Sequence, residues 1–305
     1  MDNLCHTLTG AAFAEAGLKH RTRFGHAALM IAANLPDVDV LVFVTDTPPV
    51  AFRRGWTHGV IAQALLPVLL TLIFVMIDRR WPDPLGRRRV RPAAMLLLGY
   101  VGVFSHVALD WLNTYGVRLL MPLSRDWFYG DSVFIVDPWL WLVLFAGVMI
   151  ARRLRAPRAA MAALALATLY IAVMMASSRM ARQMVVTAWT AAKGAPPARV
   201  MIGPVPIHPL RKTVIVDAGD HYERGSVEWW PKNIRFSPEQ VPKNGRHPAA
   251  IRAAESDPAF RGLLVWSRFP YYELAETDDG RVRVTLGDMR FSGRTIFRAT
   301  TVMER

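Results

Sequence analysis

The chain has 305 residues, of which 52% are hydrophobic and 20% charged, and it carries a net charge of +13. This apolar fraction excludes an intrinsically disordered protein, and the length allows about two ordinary domains. Cys5 is the single cysteine, which excludes an intrachain disulfide framework and any Cys-x-x-Cys zinc or redox site. The basic residues mostly flank apolar runs, so the positive charge gives no strong signal for nucleic-acid binding.

The chain opens with two apolar stretches, residues 3–18 and 24–44, which are interrupted by Glu15, Pro36, Asp37 and Asp39. This pattern predicts a short helical hairpin that either spans a bilayer or lies half in its interface. The start lacks a basic segment followed by a hydrophobic core, so we expect no cleavable signal peptide.

Four longer apolar runs follow, at residues 60–77, 93–112, 133–150 and 159–176. Each has the length of a membrane-spanning helix. The second and third runs include His106, Asp110 and Asp137, which are costly in hydrocarbon unless they are paired or hydrated. Together with the hairpin, these runs predict an α-helical polytopic membrane domain of about six helices over residues 1–176.

The distribution of basic residues predicts the orientation of these helices. Segments 19–23, 78–92 and 151–158 hold 13 lysines and arginines, whereas the alternate loops, 45–58 and 113–132, hold only Arg53, Arg54, Arg118 and Arg125. Because basic loops stay in the cytoplasm, we expect the first set to face the cytoplasm and the second set to face the opposite side.

After residue 177 the composition changes. β-rich runs occur at residues 213–216, 282–286 and 295–302, and Asp278-Asp279-Gly280 has the composition of a hairpin turn. Residues 177–305 are therefore predicted to form a mostly β soluble domain. An even number of preceding helices would place this domain with the N-terminus, outside the cytoplasm.

Several polar side chains occupy apolar surroundings. His106 and Asp110 are four residues apart, which on a helix places an imidazole and a carboxylate on one face, close enough to bind one cation. A His–Asp hydrogen bond that only packs two helices is the alternative. In the predicted topology His6, Asp39 and His58 fall at the same membrane side as this pair. Ligands of one metal centre must share a side, whereas independent packing residues need not, so the group predicts a metal centre.

Imidazole and carboxylate ligands without thiolate suit zinc, manganese or iron, and we expect zinc first. The predicted metal ligands are His6, Asp39, His58, His106 and Asp110, with His6 and Asp37 at a second metal position or around the ligands. Asp37 and Asp137 are the candidates for proton transfer. Asp137 precedes Pro138, so a plain helix cap is its alternative role.

Five segments together resemble the motif set of the predicted membrane-bound metal-dependent hydrolases, the YdjM-like inner-membrane family. They are His6-Thr-Leu-Thr-Gly10, Asn34-Leu-Pro-Asp-Val-Asp39, Arg54-Gly-Trp-Thr-His58, Ser105-His-Val-Ala-Leu-Asp110 followed by Asn113-Thr-Tyr-Gly116, and Asp131-Ser-Val-Phe-Ile-Val-Asp137. The resemblance covers about residues 1–150. It implies a multi-pass hydrolase of the bacterial inner membrane, with the C-terminal domain in the periplasm.

The order of ligand types is also similar, more faintly, to the zinc-dependent phospholipase C and single-strand nuclease superfamily. That similarity implies a phosphodiester or phospholipid substrate. The chain departs from this pattern, because no histidine occurs between Asp110 and His208 to supply the further His and the His-x-x-x-Glu pair of that superfamily.

The sequence therefore favours a membrane-bound hydrolase that uses a metal-activated water at the non-cytoplasmic face. A site at the lipid–water boundary suggests membrane lipid as a partner and a lipid-linked or phosphodiester substrate. The alternative is a non-hydrolytic metal-binding transport or scaffold protein. Runs 60–77 and 159–176 offer few polar residues for an ion pathway. The oligomeric state has no signal in the sequence.

Overall fold

The structure, a computed structural model, describes residues 1–86, 88–243, 248–292 and 297–303. Arg87, and the first two residues of the β run predicted at 295–302, lie outside these ranges. The chain divides into two compact units. The first comprises Met1–Asp39 and Arg54–Ser177, and the second comprises Val40–Arg53 and Ser178–Arg305.

The first unit is helical. In chain order the helices up to residue 193 are α1 (Asn3–Glu15), α2 (Gly25–Ala32), α3 (Pro49–Phe52), α4 (Val60–Arg80), α5 (Pro92–Trp111), α6 (Pro138–Arg153) and α7 (Pro157–Lys193). Short 3-10 helices cover Leu18–Arg21 and Leu35–Val44. Helix α3 lies within the second unit, and α7 continues from the first unit into the second.

Among the described residues, α4, α5 and α7 are long and apolar enough to cross a membrane. Helix α2 and the 3-10 helix Leu35–Val44, bent by 51°, meet the same test together and are either a fourth, broken span or a re-entrant loop. The predicted helical membrane domain is confirmed. The run 133–150 differs, since α6 begins only at Pro138 and, with 16 residues, is not among these candidate spans. The Asp137 side chain accepts hydrogen bonds from the N–H groups of Trp139 and Leu140, and this cap fixes the start of α6.

Glycines bring α1, α2 and α5 into close contact. A Cβ atom at Gly10 of α1 would lie 2.7 Å from the carbonyl oxygen of Leu29 on α2. At Gly102 of α5 it would lie 2.4 Å from the Cβ of Ala32, also on α2. Small residues let helix backbones approach closely in membranes. As a result, the polar residues of α1 and α5 meet beside the segment that follows α2.

The second unit is mostly β. Its strands are β1 (Arg199–Val205), β2 (His208–Asp217), β3 (His221–Trp229), β4 (Lys232–Pro242), β5 (Pro270–Glu276), β6 (Val282–Asp288) and β7 (Arg298–Met303). They form an antiparallel sheet in the order β1-β2-β3-β4 and a second in the order β5-β6-β7. Helices α8 (Pro248–Ala254) and α9 (Pro258–Trp266) lie between β4 and β5. The predicted β character of the C-terminal region is confirmed.

The predicted turn at Asp278-Asp279-Gly280 is also confirmed. Strands β5 and β6 pair up to Glu276 opposite Val282, and the Thr277 N–H donates to the carbonyl of Arg281 over 2.9 Å. Gly280 has a φ of 79°, a left-handed conformation that glycine adopts without a steric cost. The turn therefore sets the register of the second sheet.

Asp288, at the end of β6, forms a buried ion pair with Arg290 and also contacts the loop before β5. Asp288 accepts hydrogen bonds from the N–H groups of Arg268 and Phe269 and from the Arg290 guanidinium, and both charged side chains are fully buried. Burial alone would raise the pKa of Asp288. The charge and hydrogen bonds of Arg290, with the backbone N–H of Phe269, outweigh burial and hold that pKa below 3.8, its ordinary value.

We expect Asp288→Asn to destabilise the second unit by about 3–5 kcal/mol, because the buried Arg290 loses its counter-charge. The wild type should also lose stability as the pH falls below 3.8 toward the lowered pKa of folded Asp288, because the native contacts stabilise only the ionised carboxylate. Hydrogen exchange of β5 and β6 peptides in the full-length protein measures both effects. Glu239→Gln, at an exposed carboxylate on β4, is the control and should change little. Equal exchange in the two variants would contradict the assignment.

Candidate metal centre

Four buried side chains in the first unit converge on one point. Asp37, His58, His106 and Asp110 each offer a ligand atom, and these atoms all lie within 4.8 Å of one another. Asp37 lies in the 3-10 helix that follows α2, His58 lies just before α4, and the other two lie on α5. The four residues could hold a metal ion.

The spacing of three of these atoms suits a shared cation. The Nε2 atoms of His58 and His106 are 3.1 Å apart, and the Oδ2 atom of Asp110 lies 3.3 Å from the first and 3.6 Å from the second. Ligands held at 2.0–2.1 Å by tetrahedral zinc lie roughly 3.3 Å from one another. Asp37 is farther away, with its Oδ1 atom 3.9 Å from Nε2 of His106.

The His106 ring is oriented by α2. Its Nδ1 atom lies 2.8 Å from the carbonyl oxygen of Ala33, which can only accept a hydrogen bond. The proton therefore resides on Nδ1, and Nε2 presents a lone pair to the cluster. Metal-binding histidines usually donate their second nitrogen to such a partner, which fixes both tautomer and ring angle.

The His58 ring is oriented by a second set of contacts. Its Nδ1 atom is 3.0 Å from the Thr57 hydroxyl, which donates in turn to Oδ2 of Asp39 over 3.3 Å. The same carboxylate oxygen lies 3.6 Å from Nδ1 and accepts the Arg54 N–H. This arrangement favours a proton on Nδ1 and turns Nε2 of His58 toward His106 and Asp110. Asp39, predicted as a ligand, thus lies behind His58, outside the group of four.

The two oxygens of Asp110 have different surroundings. Its Oδ1 atom accepts a hydrogen bond of 2.9 Å from the Arg54 guanidinium and also contacts the α-amino group of Met1. Its Oδ2 atom faces the two imidazoles and accepts no hydrogen bond from any residue that the structure describes. A buried carboxylate oxygen left in this way, beside two imidazole lone pairs, is suited to a divalent cation.

His6 lies against the cluster. Its ring stacks on that of His106, with centroids 3.8 Å apart, and its Nε2 atom lies 3.3 Å from Oδ1 of Asp110. Among the described residues neither ring nitrogen of His6 has a hydrogen-bond partner. The structure therefore places His6 beside Asp110, outside the group of four, and its predicted role as a ligand stays a prediction.

Asp137 is not brought into the cluster. Its Oδ1 atom caps α6, and its Oδ2 atom accepts a hydrogen bond of 2.9 Å from the Tyr170 hydroxyl on α7. These contacts match the alternative expected for this residue, a helix cap. Its role in proton transfer stays a prediction.

Arg54 and Thr57 have a larger part in the site than their residue types indicate. The Arg54 guanidinium is buried, donates to Asp110 and to Oδ1 of Asn113, and lies over the Tyr115 ring. Counted by charge alone, Arg54 is one of four basic residues in the loops predicted to lie outside the cytoplasm. The feature of the sequence that could have identified Arg54 is its position, four residues before His58 in a motif that also contains Thr57.

Comparison with protein families decides the membership of the chain. The family model of the YdjM inner membrane protein matches residues 1–181, more than half of the sequence. The chain belongs to the YdjM inner membrane protein family. The four clustered residues of this YdjM-family member, and all five motifs, lie inside the matched region. No curated protein and no solved structure matches the chain.

We expect the purified protein, stripped of metal, to bind a divalent cation in isothermal titration with Zn²⁺ or Mn²⁺. His106→Ala and Asp110→Ala should each abolish this binding, because each removes one of the three closely spaced ligand atoms of His58, His106 and Asp110. His26→Ala, whose imidazole contacts Glu15 and Arg152 and no member of the group of four, is the matched control and should bind like the wild type. Equal binding by all four proteins would rule out the cluster as the metal centre.

Thr57→Val tests the orientation of His58. The valine keeps the size of the side chain but removes the hydroxyl between the imidazole and Asp39, so metal affinity should fall about 10–100-fold. Thr71→Val is a suitable comparison, since the buried Thr71 hydroxyl bonds only to the Pro67 carbonyl of its own helix in the described contacts. An unchanged dissociation constant for Thr57→Val would show that the hydroxyl does not position the ring.

Proposed function

We propose that this membrane protein is a metal-dependent hydrolase whose site faces the non-cytoplasmic side. The observation that supports the proposal is the convergence of two imidazole nitrogens and one carboxylate oxygen at the spacing of tetrahedral ligands. The other polar atoms of these three side chains contact protein partners. Such orientation is expected of a binding centre and is not needed for helix packing alone.

His58, His106 and Asp110 would hold the cation, with zinc as the first candidate and manganese or iron as alternatives. When bound, such a cation lowers the pKa of water toward neutrality and polarises a carbonyl or phosphoryl oxygen. The three ligands carry one formal negative charge, which Arg54 balances. Asp37 adds a second negative charge, so a divalent ion would leave these groups with a net charge of about +1, which favours an anionic substrate.

Asp37 is the base in this proposal. Its carboxylate is the most distant of the four and is 6% exposed, whereas His58, His106 and Asp110 are fully buried. It can therefore approach both the cation site and an entering water, and accept the proton that the water loses on attack. Asp137 remains the second candidate, but both of its oxygens already accept hydrogen bonds.

A phosphodiester or a lipid-linked head group is the substrate class that we propose. The support is the positive charge expected at the loaded site and the position of His106 and Asp110 at one end of a membrane-spanning helix. The predicted orientation of the arginine-rich loops places that end, and the C-terminal β domain, on the periplasmic side. A metal-binding transporter or scaffold is the alternative, and turnover distinguishes it.

Turnover of bis(p-nitrophenyl) phosphate and of a phospholipid, by stripped protein with zinc or manganese added back, tests the proposal. Asp37→Asn should lower the rate about 10²–10⁴-fold while the protein still binds metal, because only the proton acceptor is lost. Asp46→Asn, at an exposed carboxylate, should keep the wild-type rate. A protein that binds metal and hydrolyses neither compound would refute the activity and favour the transport or scaffold alternative.

A further inference from the structure

An apolar cavity of about 320 Å³ lies in the first unit among α1, α5, α6 and α7. Its wall is formed mainly by aliphatic and aromatic side chains, with Phe13, Leu112, Leu144 and Ile171 among them. The volume is at the lower end of the range for small-molecule sites. None of the four clustered residues belongs to this wall.

The cavity is elongated along the helix axes. Its wall extends on α7 from Leu164 to Met175, which at 1.5 Å per residue is about 16 Å of helix. On α1 the wall extends from Cys5 to Phe13, about 12 Å. A modest volume distributed over such a length makes the cavity narrow, a shape that suits one extended chain.

The hydroxyl groups in the wall are already satisfied. Thr9, Ser105 and Thr168 each donate a hydrogen bond of 2.8 Å to a backbone carbonyl of their own helix. Hydroxyls bonded in this way lose nothing when hydrocarbon lies against them. The chemistry of the wall therefore matches a saturated or unsaturated hydrocarbon and offers little to a polar ligand.

The wall also adjoins the candidate metal centre along the chain. Ser105 and Leu109 of the wall immediately precede His106 and Asp110 on α5, and Cys5 immediately precedes His6 on α1. On a helix, neighbouring residues face directions about 100° apart. The same turns of α1 and α5 thus present polar groups to the metal centre on one side and apolar groups to the cavity on another.

We infer that the cavity holds one hydrocarbon chain of a lipid substrate whose polar head group reaches the metal centre. This inference rests on the proposed hydrolase and identifies the substrate as a membrane lipid. Hydrocarbon gains little free energy on moving from bilayer to an apolar cavity, because lipid tails are as apolar as the wall. The chain therefore contributes alignment more than affinity, by holding the scissile bond at the site.

The probe for this inference is phosphatidylethanolamine that carries a diazirine near the end of one acyl chain, in proteoliposomes of the full-length protein. After illumination, peptide mass spectrometry should find crosslinks on α6 and α7 at residues of the wall. Ala167→Phe fills the cavity at a buried wall position and should reduce these crosslinks severalfold. Leu166 is the neighbouring residue on α7, and its side chain is 56% exposed. Leu166→Phe should therefore leave the crosslinks unchanged.

Equal crosslinking in both variants would mean that the labelled chain lies outside the cavity, in the surrounding bilayer, which overturns the inference. Ala108→Phe, at an exposed wall position on α5, replaces Ala167→Phe if that variant fails to fold. Both cavity variants should still bind Zn²⁺ normally. Loss of crosslinks with full lipid turnover would also overturn the inference, because the chain would then belong to a lipid that is not the substrate.

Activity separates this inference from the proposed function. A filled cavity should lower turnover of the phospholipid severalfold and leave turnover of bis(p-nitrophenyl) phosphate, which has no acyl chain, unchanged. If the wild type hydrolyses neither compound, the hydrolase proposal fails, while the crosslinks still report whether a chain occupies the cavity. If Ala167→Phe slows both substrates equally, the cavity does not select the lipid and the inference fails alone.

Discussion

Burial of ionisable groups is the constraint on which the first unit depends. His58, His106 and Asp110 are fully buried in an apolar helical bundle, where an unpaired charge or polar atom is strongly unfavourable. The structure meets this constraint with specific partners, the Ala33 carbonyl for one imidazole, the Thr57 hydroxyl for the other and the Arg54 guanidinium for the carboxylate. The Nε2 atoms of His58 and His106 and the Oδ2 atom of Asp110 then face each other.

These partners and the side chains they orient come from three separate segments, the end of α2, residues 54–58 and α5, so the site depends on how closely the helices pack. The approach of α1 and α5 to α2 at Gly10 and Gly102 sets the distance between His106 and the Ala33 carbonyl. A larger side chain at either glycine would separate the backbones before it touched the cluster. The geometry of the centre is therefore a property of the bundle as well as of its ligands.

Much of the fold follows from the sequence. Helices α4, α5 and α7 correspond to long apolar runs, and the turn that contains Gly280 marks the hairpin of β5 and β6. The pair His106 and Asp110 was predictable because helical spacing alone places them on one face. The choice between Asp37 and Asp39 was not, since two carboxylates two residues apart in a 3-10 helix give no indication of which points inward. The start of α6 was predicted too early because the apolar run begins at residue 133, although the cap at Asp137, offered as an alternative, marks the observed start.

The ion pair between Arg54 and Asp110 bears on how the protein matures. Because the guanidinium already balances the carboxylate, the bundle has no need of a cation to offset that buried charge while it inserts and folds. If the proposed centre takes up an ion, that step can therefore follow folding, and the empty bundle is already balanced at this carboxylate.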